Sequence, residues 1–193
     1  MGVYIVSVGA EEWSGDEEDG WGKVASALNA ELGRRGLPPY EDVPAEADFV
    51  RGSGQSFEEK LARPMTGFLD LCRTYLSREE SELLCGWTVL VPVSLDEEIW
   101  LPVHCDDHDS MVAGAPQVLP LAERLAAAID LPSEVPVACD NLDLSTWFRH
   151  RAGEPATARA GQWSKDLDAA FYVALFLRAA QHAIRRGCPV VCT

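Results

Sequence analysis

The feature that most restricts this chain is a nine-residue apolar run, Ala169 to Leu177, inside a segment carrying the signals of a helix. Ser164 is placed to cap it, Asp166 and Asp168 fall in its first turn, and Arg178, Arg185 and Arg186 lie toward its C-terminal half before Gly187 stops it. A helix apolar on every side must run through the middle of a fold, with other elements packed around it. The run is far short of the ~20 residues a membrane span needs, so its cover has to be protein. At 193 residues, 47% of them hydrophobic, the chain can supply that cover as one domain, residues 1–193.

The covering elements are read from periodicity. Val3 to Val8 is a nearly continuous apolar run, as in a strand covered on both faces. Trp21, Val24, Leu28 and Leu32 recur at helical spacing until Gly36 and Pro38. After a loop-rich stretch over 37–55, Ser56 to Glu59 has the form of a capping box. Phe57, Leu61, Met65, Phe68, Cys72 and Leu76 then predict a helix, kinked or broken at Pro64, with Arg78 to Leu84 adding a turn.

From Trp87 the period changes to two through Leu95, with Pro92 arguing for an edge strand or a bulge. The acidic turn Asp96 to Glu98 and the run Ile99 to Val103 complete an expected hairpin. A helix from near Pro120 to before Pro132, a short strand at Val135 to Ala138, irregular chain over 141–161 and a final strand at Cys188 to Cys192 follow. The expected fold is therefore α/β or α+β, a mixed sheet with a central β-hairpin and four to five helices packed on it.

Charge narrows the function. Sixteen Lys and Arg against 31 Asp and Glu give a net charge of -15, which argues against nucleic acid or an anionic membrane as direct partner. The first 110 residues hold 23 acids and eight bases, the last 83 eight of each, so the excess is confined to one part of the chain. One acidic face meeting a basic protein, as an immunity or accessory protein would, is the expected function. Asp16, Glu17, Glu18 and Asp19, with Trp13 beside them, are the candidate partner-binding residues. Gly15 and Ser26 stand where an EF-hand needs its first and last ligands, so that acidic loop is not one. The N-terminus lacks a secretory signal and the six cysteines are scattered, so a cytoplasmic location is expected.

The other chemically dense segment is His104-Cys105-Asp106-Asp107-His108-Asp109. If the strand before it continues, His104, Asp106 and His108 share one face, because side chains alternate. Together with Asp109 they are suitable ligands for Zn, Mn, Fe or Ni, which would make a metal-dependent hydrolase the alternative function. The metallo-β-lactamase signature fails here, since it would need histidines at Val103 and Cys105. No G-x-S-x-G elbow or P-loop is present either.

Overall fold

A computed structural model describes residues 3–15, 20–105, 108–153 and 161–193. Six strands, β1 (Val3–Ser7), β2 (Glu58–Leu61), β3 (Val89–Val91), β4 (Ile99–Cys105), β5 (His108–Gly114) and β6 (Val190–Cys192), form a mixed sheet in the order β2-β1-β6-β3-β5-β4. The β3–β5 pair is parallel and the other pairs are antiparallel. Among the described residues there are seven α-helices, more than the four to five expected: α1 (Ala10–Ser14), α2 (Gly22–Arg34), α3 (Thr66–Tyr75), α4 (Arg78–Gly86), α5 (Ala115–Ala128), α6 (Asp143–His150) and α7 (Leu167–Arg186).

Alternation along the strands divides the core into two layers. Val89, Val91, Val112 and Val191 face α1 and α2, whereas Ile5, Leu90, Ala113 and Val190 face α3 to α7. Helix α7 lies in the second layer, as its all-round apolar surface requires. Phe68 stacks on Phe176 at 5.2 Å, Trp87 meets the same ring edge-on at 5.9 Å, and Phe148 packs on Phe171 at 5.7 Å. Asp166 rather than Ser164 caps α7, accepting from the amides of Asp168 and Ala169. Gly187, at φ 66°, takes the left-handed conformation that ends it.

Five expectations are corrected. Residues 58–61 form an edge strand, with Val3 opposite Leu61, and the helix starts only at Thr66. The Ser56–Glu59 pattern is not a capping box: the Ser56 hydroxyl donates to Asp140, and Glu59 accepts from the first turn of α6. Strand β3 does not pair with β4. Strand β5 lies between them, so β3 is interior and ends before Pro92, and the hairpin is β4–β5. Finally, the segment read as irregular contains α6, and Val135 to Ala138 is not a strand, the nearby pairing being an isolated Phe57–Cys139 bridge.

The chain's true capping box opens α4, where Ser77 Oγ accepts from the Glu80 amide and the Glu80 carboxylate accepts from the Ser77 amide. Ser77→Ala should cost about 1 kcal/mol, a fall of roughly 2–4 °C in thermal midpoint, measurable by calorimetry. An unchanged midpoint would mean that water replaces the cap at no loss.

Candidate functional site

The chain leaving the carboxyl end of β1 is held against a distant loop. Ala10 N–H donates to Pro44 O at 2.9 Å, and a Cβ on Gly9 would lie 2.8 Å from the Glu46 amide nitrogen, so glycine permits the close approach. Below it, Ser7 Oγ accepts from the Phe57 amide at 2.9 Å. The turn over 52–56, with Gly52 and Gly54 at φ 77° and 66°, wraps the buried carboxylate of Asp140. Asp140 accepts from the amides of Gly54 (3.0 Å) and Ser56 (3.3 Å) and from the hydroxyls of Ser53 and Ser56. Burial opposes its ionisation, but these donors hold its pKa below the ordinary carboxylate value.

These segments enclose a crevice of about 460 Å³. Its charged lining is Glu12, Glu46, Glu58 and Asp140, with Arg186 from the end of α7 as the one cation among the described lining residues. Phe49, 57% exposed, forms an apolar lip. Glu12 has its pKa raised, first by burial and second by the charge of Glu46. The charges of Glu12 and Glu46, two exposed residues lining the crevice, therefore repel each other. The buried Nε of Arg186 has no hydrogen-bond partner. Such a site favours a cationic group with an apolar stem, which would lie between the carboxylates and against the aromatic lip.

The acidic loop proposed from sequence, Asp16 to Asp19, lies outside the described residues. Its base adjoins the crevice: Trp21 N–H donates to Glu12 O at 3.2 Å, and a Cβ on Gly22 would overlap Gly15 O. Trp13 is a correction. It is 3% exposed and packs on Tyr40 at 5.9 Å, because the apolar face of α1 is spent on the sheet and its ring has no surface to offer a partner.

The ligand-dense segment occupies the tip of the β4–β5 hairpin. His104 lies opposite Asp109 and Cys105 opposite His108 in the backbone register. Strand β4 ends at Cys105, and β5, antiparallel to it, begins at His108. Asp106 and Asp107 lie outside the described residues, and Asp109 is exposed. Among the described residues no three His, Cys, Asp or Glu side chains come together as a metal-binding group.

Glu46, Glu58, Asp140 and Arg186 were not singled out as a site in the sequence. In sequence each looks like an isolated charge, and their segments meet through the pairing of β1 with β2 and β6, the Ala10–Pro44 hydrogen bond and the Phe57–Cys139 bridge. Among the described residues no helix is long and apolar enough to cross a membrane. No family model matches the chain, and no curated protein or solved structure matches it either.

Proposed function

We propose that this chain is a non-catalytic binding protein that holds a cationic side chain of a basic protein partner in the acidic crevice at the end of β1. The observation that carries the reading is the Glu12–Glu46 pair, two carboxylates set to repel each other in a site where one arginine faces four acids. An inserted ammonium or guanidinium group relieves that repulsion and gains contact with Phe49. The net charge of -15 would add long-range attraction and speed the encounter.

Fluorescence anisotropy with a labelled hexa-arginine peptide tests this. Glu12→Gln/Glu46→Gln should weaken binding roughly tenfold or more at low salt. Glu82→Gln/Glu123→Gln removes the same charge from helices that do not line the crevice, and should leave affinity within about twofold. Equal losses in both variants would reduce the effect to bulk charge and overturn the reading.

A second reading is a divalent-metal site of His104, Asp106, His108 and Asp109 at the hairpin tip, supported by the register that sets His104 directly opposite Asp109. On that reading Zn²⁺ or Mn²⁺ should bind stoichiometrically in calorimetry and be lost in His104→Ala/His108→Ala. Identical titrations of the two proteins would exclude it.

A further inference from the structure

The crevice at the end of β1 shares its walls with a second opening. The segments 49–56 and 136–143, which supply Phe49, Ser56 and Asp140 to the crevice, supply Arg51, Val137 and Asp143 to a neighbouring pocket of about 340 Å³. Helix α6 adds Trp147 to this pocket, and Arg151 follows directly after the helix. Contacts inside the fold hold its walls. Arg185 donates to Gly54 O at 3.0 Å, and Arg178 donates to Val135 O and Pro136 O at 3.1 and 2.8 Å.

The two openings differ in charge. The crevice sets four acids against Arg186, whereas the pocket sets Arg51 and Arg151 against the single acid Asp143. That carboxylate is already engaged, accepting from the amides of Asp140 and Asn141 at 3.1 and 3.5 Å. Arg34, Arg35, Arg63, Arg73, Arg78 and Arg124 each pair with a carboxylate. Among the described residues the side chains of Arg51 and Arg151 have neither an ion pair nor a hydrogen bond, in a chain where acids outnumber bases 31 to 16. Phe49, Val50 and Val137, each 57% exposed, lie on the same two segments.

We infer that the segment of the partner seated here is ampholytic: besides the cationic side chain in the crevice it carries an apolar residue that covers Val137 and a carboxylate that meets Arg51 and Arg151. The carboxylate site rests on the crevice being the seat of the cation. Guanidinium groups left without partners gain charge-assisted hydrogen bonds from a carboxylate, and the exposed apolar side chains gain by being covered. Specificity follows from the order of the charges. The field of a chain at -15 attracts any polycation, but only a segment whose acidic part falls at the pocket complements both openings.

End-capped peptides of zero net charge, which bulk charge does not attract, test this by fluorescence anisotropy. The segregated sequence Arg-Arg-Arg-Leu-Leu-Glu-Glu-Glu or its reverse should bind the wild-type protein at least about fivefold more tightly at low salt than the mixed sequence Glu-Arg-Leu-Glu-Arg-Glu-Leu-Arg. Arg51→Gln/Arg151→Gln should abolish that preference. It should also raise hexa-arginine affinity, by up to about twofold, because two cations are removed. Both side chains are exposed and unpaired, so the variant should fold, as circular dichroism would verify. Equal binding of segregated and mixed peptides by the wild-type protein, or a preference that survives Arg51→Gln/Arg151→Gln, would overturn the carboxylate site and leave the hexa-arginine result standing. A fall in hexa-arginine affinity in that variant would overturn it too, since the arginines would then be supporting the crevice. Failure of the crevice itself shows separately, as hexa-arginine binding that Glu12→Gln/Glu46→Gln does not weaken.

Discussion

Truncating Glu59 to alanine at pH 5.5 should lower the thermal midpoint by roughly 5–10 °C, the equivalent of about 2–3 kcal/mol. Helix α6 has no cap of its own, because Leu142 precedes it in the left-handed conformation at φ 53°. Its cap comes from the neighbouring edge strand. The Glu59 side chain, fully buried, accepts from the Leu144 amide at 2.6 Å and from the Ser145 amide and hydroxyl at 3.1 and 2.8 Å. Removing it strands the buried Leu144 N–H and loosens the helix that carries Leu144, Trp147 and Phe148 into the core.

Glu59 also sets a pH dependence. Burial outweighs its hydrogen bonds and raises its pKa from 4.5 to about 7. Between those values the folded protein keeps a proton that the unfolded chain releases, so this group's contribution is full below 4.5 and is lost as pH rises through 7, about 3 kcal/mol in all. His182 works in the opposite direction. Burial first, then Arg185 and Arg186, depress it from 6.5 to about 4, so its contribution is lost as pH falls through that window. The two slopes offset each other between pH 4.5 and 6.5. Glu59→Gln should therefore expose a rise of roughly 1.4 kcal/mol per pH unit across that range in urea unfolding, and His182→Gln the corresponding fall. A Glu59→Gln profile parallel to that of the wild-type protein would show that Glu59 ionises normally in the fold.

The largest effect on binding is expected from reversing the crevice charges. Glu12→Lys/Glu46→Lys places two ammonium groups near Arg186 and should reduce hexa-arginine affinity by roughly a hundredfold or more at low salt. The loss should shrink as salt rises, because the attraction it removes is screened. The substituted positions lie on the first turns of α1 and in the loop over 37–55, so folding should survive, which circular dichroism would verify. Binding retained within a few-fold would remove Glu12 and Glu46 from the interface.

Elements governed by local periodicity were legible in the sequence. The Val3 to Val8 strand, the Trp21 to Leu32 helix, the buried last helix and the final strand all stand where their spacing places them. Readings failed where distant groups decide the outcome. Ser56 and Glu59 satisfy a helix-start pattern, yet both side chains bond across the fold, and β2 takes its conformation from pairing with β1. The alternation from Trp87 correctly signalled a strand, but nothing local indicates that β5 inserts beside β3 in parallel. The site follows the same division. Glu12 lies next in sequence to the acid-rich segment, whereas Asp140 and Arg186 reach the crevice only through tertiary structure.

The most direct test of a defined cation-binding crevice is to titrate isotope-labelled protein with the hexa-arginine peptide and map backbone amide shifts by NMR. Saturable changes confined to Ser7, Gly9, Glu46, Gln55, Ser56 and Asn141 are expected, and they should vanish in Glu12→Gln/Glu46→Gln. Shifts that never saturate and spread over acidic residues of α4 and the turn over 96–98 would contradict the crevice as the binding site.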